Sequence, residues 1–323
     1  MKQKKENHAL PIINLSNYFG FKATEESKKD VVEKWYDAFS TVGFAILINS
    51  GVPKSTITNL DVSARSFFEQ EYALKCDYSL GRYGIGGYTP IGLEAVGRSL
   101  DPALFKNIHS TKPDLVESFC FNNGGFPPDF QPDNPKTLIP AVKRYWEEME
   151  YLLAKRVLPL SAVSLGLPND YFNKFYQYEE GKHCNNSLKL SYYPAVDKAA
   201  INCRARYGAH TDYMGFTLLR ADPMIAGLEV LYPDGNWIEV PPISGNAIII
   251  NSGDLIKRWT NDVWNSALHR VKTTSIKTRL SLVFFTGPRD DAVVETLSIN
   301  GSPHYAPVKV KDHLNEKIQA TNV

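Results

Sequence analysis

The sequence is poor in cysteine and has no long apolar segment. Only four of its 323 residues are cysteines, and no two form a CxxC pair. Neither a disulfide framework nor a structural zinc site is therefore expected. Apolar runs such as Ala45–Ile48 and Ala247–Ile250 are far shorter than the ~20 residues that a membrane helix needs. The basic N-terminal residues are not followed by an apolar stretch, so we expect a cytoplasmic protein without a secretory signal or membrane association.

The chain also lacks an excess of charge and any repeated or low-complexity segment. Its 36 Lys and Arg residues are balanced by 35 Asp and Glu residues, which leaves a formal net charge of +1. Without a basic and aromatic stripe, nucleic-acid binding is not expected. With 43% hydrophobic residues, the chain can build a substantial core. No linker divides the chain, so we expect a single domain.

The hydrophobic pattern changes along the chain. Helical spacing of apolar residues predicts three long helices, at 24–42, 55–71 and 137–165. Short strands are predicted at 10–15 and 43–48. The stretch 81–135 is rich in Gly, Pro and Asn and has no sustained periodicity, so it is expected to form a functional wall or lid with short strands.

From residue 187 onwards, short β-rich runs recur and are separated by turn signals. These runs lie at 188–193, 216–220, 228–231, 237–240, 247–250, 267–271 and 280–285. Many short strands at this spacing indicate a β-sandwich or jelly roll rather than a parallel sheet. The pattern therefore predicts a β core with supporting helices, most of them in the N-terminal half.

The chemistry is concentrated in an HxD motif and a later histidine. In an extended segment, His210 and Asp212 share a face and can offer an imidazole nitrogen and a carboxylate oxygen to one ion. His269, within a strand-like run, is a suitable third ligand. Two histidines and one carboxylate on one face of an octahedron bind non-haem Fe(II) and leave three positions open. The histidine of an isolated HxD is more often a loop residue that is hydrogen-bonded to its own turn. The companion residues therefore decide whether this motif binds a metal.

One companion is an arginine on a predicted core strand. Arg279 lies ten residues beyond His269, and Ser281 shares its strand face. An inward-facing arginine is costly to bury without an anionic partner. That partner is either an acidic residue of the protein or the carboxylate of a ligand, held by the guanidinium and the serine hydroxyl.

Together these motifs resemble the 2-oxoglutarate and Fe(II)-dependent oxygenase superfamily, in its isopenicillin N synthase-like branch. The resemblance covers nearly the whole chain. Matching segments are Pro11–Leu15, Val42–Phe44 with Asn49–Val52, Leu188–Pro194, Asn251–Leu255 and the closing region 304–321. One departure is Ser191, where the family often has asparagine.

The resemblance implies a double-stranded β-helix (a jelly-roll, cupin-like core) within a single domain. Its implied parts are an N-terminal non-haem dioxygenase region (1–135), a helical support (136–185), the core (186–290) and a C-terminal tail and helix (291–323). The chemistry implied is that of an oxidoreductase, a dioxygenase using O2. Hydroxylation, desaturation or cyclisation at a C–H bond, as in secondary metabolism, would be coupled to decarboxylation of 2-oxoglutarate to succinate.

The resemblance also implies roles for individual residues. His210, Asp212 and His269 would bind Fe(II). The distal carboxylate of 2-oxoglutarate, the co-substrate, would be bound by three further residues: Arg279, Ser281 and Tyr193.

Substrate contacts are expected from the irregular segment and the strand facing it. The candidates are Arg82, Tyr83, Tyr88, Phe119 and Arg98. A cation near the mouth would suit an acidic or amino-acid-like substrate. The simpler interpretation is that the tyrosines are half-buried aromatic residues and the arginines are solvated. Phe285 is expected to fill the core.

Two alternatives stay open at this point. Glu117–Phe121 resembles a segment of isopenicillin N synthase, an Fe(II) and O2 oxidase that uses no keto acid and binds substrate with its arginine-x-serine pair. Against this, the tail at 320–323 lacks that enzyme's glutamine. The second alternative, a catalytically silent β-sandwich binding module, predicts loss of a ligand or of the arginine, and all are present.

Overall fold

The computed structural model describes residues 9–79, 86–100, 106, 108, 112–122, 131–176, 184–201 and 205–321. The strands are β1 (Ile12–Asn14), β2 (Phe44–Ile48), β3 (Gly87–Thr89), β4 (Glu117–Asn122), β5 (Ser187–Tyr193), β6 (Ala205–His210), β7 (Phe216–Arg220), β8 (Leu228–Leu231), β9 (Trp237–Glu239), β10 (Ile248–Ser252), β11 (His269–Lys272), β12 (Arg279–Phe285), β13 (Val293–Val294) and β14 (Val308–Lys309).

The α-helices are α1 (Ser16–Phe19), α2 (Glu25–Thr41), α3 (Lys54–Phe68), α4 (Tyr72–Cys76), α5 (Leu138–Leu152), α6 (Leu158–Ser164), α7 (Asn173–Tyr176), α8 (Asp254–Trp259) and α9 (Val310–Thr321). Short 3-10 turns lie at Val96–Ser99 and Lys198–Ala200. In the described part of the chain, no helix combines the length and hydropathy needed to cross a bilayer.

The core strands form two sheets of a jelly roll. The larger sheet has the order β1-β2-β10-β7-β12-β5-β4-β3, and the smaller has the order β6-β11-β8-β9. Apart from the parallel pair β1 and β2, neighbouring strands run antiparallel. The predicted double-stranded β-helix is therefore confirmed.

Helices cover one face of the larger sheet. Helix α2 begins with a capping box between Thr24 and Ser27 and buries an apolar stripe that includes Trp35. The Trp35 indole nitrogen donates a hydrogen bond to Ser161 Oγ on α6 at 3.1 Å. On α5, Trp146 packs edge-on against Phe284 of β12 at 5.0 Å between centroids. Burying each such side chain contributes about 1.5–3 kcal/mol, which holds the helices on this face.

This packing determines which residues of β12 face the interior of the jelly roll. Leu280, Leu282 and Phe284 are buried in the helix-side core. Because strand side chains alternate, Arg279 and Ser281 lie on the opposite face. The polar residues singled out in the sequence therefore face away from the helical layer.

The single helix predicted over 137–165 is divided in the structure. A π-helical turn at Leu153–Val157 separates α5 from α6, and Pro159 lies in the first turn of α6. Proline has no N–H for an i→i−4 hydrogen bond, so the wider turn accommodates the missing donor.

Candidate active site

His210, Asp212 and His269, called the triad here, converge in the interior. His210 ends β6, His269 begins β11, and the two are register partners. The Nε2 atoms of His210 and His269 lie 3.7 Å and 3.8 Å from Asp212 Oδ1. One ligand atom from each residue lies within 4.8 Å of the others. Three donor atoms thus surround one point, as a facial metal site requires.

Backbone carbonyls set the orientation of both imidazoles. His210 Nδ1 lies 2.9 Å from the Gly208 carbonyl oxygen, and His269 Nδ1 lies 3.1 Å from that of Ala267. Because a carbonyl only accepts, Nδ1 carries the proton in each ring. The lone pair of each Nε2 is then directed towards Asp212, which is the arrangement that metal-binding histidines use.

The aspartate is held from the larger sheet. Asp212 Oδ2 accepts hydrogen bonds from Thr217 Oγ1 on β7 at 2.6 Å and from Asn251 Nδ2 on β10 at 2.7 Å. These bonds occupy one carboxylate oxygen and leave Oδ1 facing the histidines. The triad therefore joins the two sheets, with its histidines on the smaller and its carboxylate anchored by the larger.

Burial and neighbouring charges adjust the protonation of this cluster. Burial, reinforced by the nearby His269, lowers the pKa of His210 to about 3. Burial alone would raise the pKa of Asp212, but the two imidazoles and the hydrogen bonds from Asn251 and Thr217 lower it below its usual value. At neutral pH, His210 is neutral and Asp212 is ionised, which are the forms that bind a cation.

Arg279, Ser281 and Tyr193 are the residues for which co-substrate binding was predicted, and they are called the co-substrate pocket for that reason; they lie together on neighbouring strands. Arg279 is 1% exposed and is the register partner of Tyr193. Its Nη1 donates to Ser281 Oγ at 2.6 Å, its Nε donates to the Ile225 carbonyl at 3.3 Å, and its Cζ lies 5.1 Å from the Tyr193 ring centroid. Burial lowers the pKa of this guanidinium, partly offset by Tyr193.

Asp222 is the acidic residue whose charge acts on Arg279, but it forms its ion pair with another arginine. Asp222 Oδ2 lies 2.8 Å from Arg65 Nη2, and its carboxylate also accepts from the Leu280 and Met224 backbone amides. Among the described residues, no carboxylate lies within ion-pair distance of Arg279. Within the described part of the chain, no acidic residue therefore forms an internal ion pair with Arg279.

A cavity of about 910 Å³ opens onto the triad. His210 and Asp212 lie in its wall, and Leu314 and Ile318 of α9 line it from the C-terminal side. Arg98, a predicted substrate contact, also lines the cavity. Phe285 lines it too, so the expectation that this side chain fills the core is wrong; it shares the interior strand face with Ser281.

Two other predicted substrate contacts lie away from this cavity. Tyr88 and Phe119 are 1% and 0% exposed and pack edge-on against Phe67. The Tyr88 hydroxyl donates to Glu117 Oε2 at 2.6 Å, and Lys75 Nζ approaches the same oxygen at 2.7 Å. Neither residue is brought together with the triad. The remaining candidates, Arg82 and Tyr83, lie outside the described residues.

A Tyr88→Phe variant should lose stability, because its hydroxyl contacts a buried carboxylate. We expect the free energy of unfolding to fall by about 1–3 kcal/mol, the usual effect of removing a hydrogen bond to a charged group. Urea titration of the variant measures this. Tyr151→Phe, at a tyrosine that is 57% exposed, is the control and should unfold like the wild type. Equal stability of both variants would contradict the buried hydrogen bond.

Sequence reasoning missed a charged cluster beside the triad. Lys189 Nζ contacts Glu94 Oε2 at 2.5 Å and the Tyr207 hydroxyl at 3.0 Å. Glu94 and Tyr207 line the cavity, and the Tyr207 ring lies edge-on to His210 at 5.0 Å. In the sequence, only Lys189 could have indicated this cluster, because it is a cation within a strand whose other residues predict burial.

The fold and the site together define a class. A jelly roll that holds two imidazoles and a carboxylate at one point has the donor set of the non-haem Fe(II) oxygenases. The Nε2 atoms of the two imidazoles and the ionised carboxylate of Asp212 fit that ion, and the buried guanidinium fits a carboxylate ligand.

Comparison with known proteins agrees with this class. A family model described as 2OG-Fe(II) oxygenase superfamily matches residues 184–288. A second model, the N-terminal region of the non-haem dioxygenase in morphine synthesis, matches residues 10–140. Jasmonate-induced oxygenase 2 of Arabidopsis thaliana is 30% identical over 302 residues, which cover 93% of this chain and 75% of that protein.

Further relatives extend the comparison to fungi and to solved structures. The 2-oxoglutarate-Fe(II) type oxidoreductase ppzC of Metarhizium majus is 30% identical over 300 residues, covering 86% of this chain and 77% of that protein. A full-length Neurospora crassa protein, crystallised in complex with alpha-KG, is 26% identical, with a TM-score of 0.81 and 98% coverage of both chains. The complex of the same fungal protein with alpha-KG and thymine gives the same values.

The chain belongs to the 2-oxoglutarate and Fe(II)-dependent oxygenase superfamily. It is an oxidoreductase whose cofactor is Fe(II) and whose co-substrate is 2-oxoglutarate, and it acts on a small molecule. The solved relatives that hold alpha-KG do not favour the keto-acid-independent oxidase. The relatives named as oxygenases and oxidoreductases do not favour the silent binding module.

Proposed function

We propose that the triad holds Fe(II) and that the co-substrate pocket holds the distal carboxylate of 2-oxoglutarate. The observation that carries this proposal is the convergence of the three triad donors on one point. It is supported by Arg279, which is buried and has no carboxylate partner among the described residues. When bound, iron and 2-oxoglutarate supply the oxidising chemistry, coupled to decarboxylation to succinate. The residues of the chain bind, orient and shield these groups.

Each part of the site has a positioning task. The Gly208 and Ala267 carbonyls hold the imidazoles in one tautomer, while Thr217 and Asn251 hold the aspartate. Arg279 and Ser281 would receive the distal carboxylate. The helix α9 narrows the cavity, which limits the access of water to the reacting groups.

We further propose that the substrate is a small acidic or amino-acid-like molecule. Its support is the cation of Arg98 in the cavity wall. The thymine in the Neurospora crassa complex shows that a similar protein accepts a compact polar ring. Hydroxylation, desaturation and cyclisation are all compatible with this site.

A succinate-release screen tests the proposal. The protein is supplied with Fe(II), 2-oxoglutarate and libraries of carboxylic acids, amino acids and nucleobases, and the products are weighed by mass spectrometry. We expect one succinate per product molecule for at least one acidic compound. Gain of one oxygen indicates hydroxylation, and loss of two hydrogens indicates desaturation or cyclisation. Product formation without succinate would refute the proposal.

The organisation of the chain completes the proposal. We propose one domain whose catalytic core spans 186–290, supported by the family-model matches at 184–288 and 10–140. The triad and the co-substrate pocket come from a single chain, which supports a monomer. Cys76, Cys120 and Cys184 carry thiols, which supports a reducing, cytoplasmic location. We also propose a role in secondary metabolism. Light scattering and fluorescent tagging check the oligomeric state and the compartment.

An Asn251→Ala variant should weaken metal binding without removing a ligand. Its amide is one of two donors that hold Asp212 Oδ2, and loss of such a supporting contact typically costs roughly tenfold to hundredfold in metal affinity. Anaerobic titration with Fe(II) measures the change. The matched control is Asn246→Ala, which removes an amide bonded to the Val52 carbonyl instead. Equal affinities in the two variants would contradict this role of Asn251.

A further inference from the structure

A second arginine is buried beside the co-substrate pocket. Arg206 lies on β6 and is 1% exposed. Its Cζ lies 5.9 Å from the Tyr193 ring centroid, and that of Arg279 lies 5.1 Å from the same centroid. Two guanidinium groups therefore approach one aromatic ring in the interior of the protein.

The hydrogen bonds of Arg206 use only part of its guanidinium. Nη2 donates to the Lys277 carbonyl at 2.6 Å and to the Ser275 carbonyl at 2.9 Å. Within the described part of the chain, the buried Nε and Nη1 have no hydrogen-bond partner. Buried donors are nearly always satisfied, so two in one cationic group need a ligand to explain them.

The surrounding charges point to an anion. Burial lowers the pKa of Arg206, and the positive charge of Arg279 lowers it further. Asp222, the acidic residue whose charge acts on both arginines, is already paired with Arg65 at 2.8 Å. Two buried cations are thus left near the neutral hydroxyls of Tyr193 and Ser281. A carboxylate has about four lone-pair positions and accepts from two guanidiniums at once.

We propose that Arg206 is a second cationic contact for the distal carboxylate of 2-oxoglutarate, opposite Arg279 in the co-substrate pocket. The inference rests on the proposed function and deepens it. The chain would select its co-substrate by two guanidiniums rather than one. It would therefore discriminate strongly against keto acids that lack the second carboxylate.

A purely structural role makes a different prediction. Suppose that Arg206 only holds the turn before β12 in place through the Ser275 and Lys277 carbonyls. Its loss would then displace Arg279 and weaken the binding of every keto acid. If its Nε and Nη1 meet the distal carboxylate, the loss is confined to dicarboxylic ligands.

The test compares two keto acids on the Fe(II)-loaded protein by anaerobic calorimetry. The ligands are 2-oxoglutarate and 2-oxopentanoate, which has the same chain length but a methyl group in place of the distal carboxylate. In Arg206→Gln, we expect the Kd for 2-oxoglutarate to rise between about tenfold and a hundredfold, the usual effect of losing a charge-assisted contact. The Kd for 2-oxopentanoate should hardly change. Arg206→Lys, which keeps the charge on a single donor nitrogen, should recover part of the loss.

Arg220→Gln is the matched control. Arg220 is also a buried arginine, 7% exposed on β7, and it donates to the Ile243 carbonyl; its variant should bind 2-oxoglutarate as the wild type does. Equal weakening of both keto acids in Arg206→Gln, or no weakening, would overturn the inference. If Arg206→Gln does not fold, Arg206→Lys decides by the same comparison. Wild-type protein that binds the two keto acids equally would instead refute the proposed co-substrate pocket.

Discussion

A His210→Ala variant should form no detectable succinate and should bind Fe(II) far more weakly than the wild type. The substitution removes one of three donors within 4.8 Å of one another, and the two that remain cannot form the facial set that the ion needs. The fold should persist, because the strand pairing of β6 with β11 depends on backbone hydrogen bonds. Anaerobic Fe(II) titration and a succinate assay measure the two losses, with circular dichroism to monitor the fold.

The control for this variant is a histidine away from the triad. His304 contacts Asp262 at 3.1 Å and its side chain is 59% exposed. His304→Ala should therefore retain both Fe(II) binding and succinate formation. Undiminished turnover in His210→Ala would contradict the assignment of the triad as the Fe(II) site.

An Arg279→Ala variant should lose most of its affinity for 2-oxoglutarate while keeping its affinity for Fe(II). Truncating one partner of a buried, hydrogen-bonded charge pair costs about 2–5 kcal/mol. The Kd for 2-oxoglutarate should therefore rise roughly thirtyfold or more. Anaerobic calorimetry with the Fe(II)-loaded protein measures this, and it separates the co-substrate pocket from the triad.

Arg270→Ala is a suitable control for Arg279→Ala. Arg270 lies on β11, where it pairs with Glu229 at 2.7 Å and stacks on Trp237. Its variant should bind 2-oxoglutarate normally. Two results would contradict separate roles for the co-substrate pocket and the triad. One is an equal loss of affinity for 2-oxoglutarate in both variants, and the other is a loss of Fe(II) binding in Arg279→Ala.

Strand periodicity predicted several strands of the jelly roll around the triad. The runs predicted at 216–220 and 228–231 are strands β7 and β8 with those bounds. The alternation on β12 correctly placed Arg279 and Ser281 on one face, because one side of that strand must pack against the helices. Local pattern sufficed here since each strand buries one apolar face.

Strand β6, which carries His210, and helix α8 were not predicted, for identifiable reasons. Strand β6 contains Gly208, which weakens a strand pattern. Glycine is needed there because a Cβ atom would lie 2.9 Å from the Gly97 backbone nitrogen. Helix α8, at Asp254–Trp259, has only six residues and no side-chain cap. Such short helices depend on tertiary packing more than on their own sequence.

The cavity wall was the least predictable part. Tyr88 and Phe119 belong to an aromatic cluster with Phe67, because β3 pairs with β4 at the edge of the larger sheet and directs them into the core. The contact of Lys189 with Glu94 joins residues 95 positions apart. No local pattern identifies such a pair before the strands are assembled.

The span of the triad across both sheets has a thermodynamic consequence. An ion bound there crosslinks β6 and β11 to the strands that hold Asp212, so metal affinity and resistance to unfolding are linked quantities. Any ligand that binds only the native state raises the unfolding free energy by RT ln(1 + [L]/Kd). Iron supply would then govern how much folded enzyme persists as well as how fast it works, and chelation would shorten the lifetime of the protein.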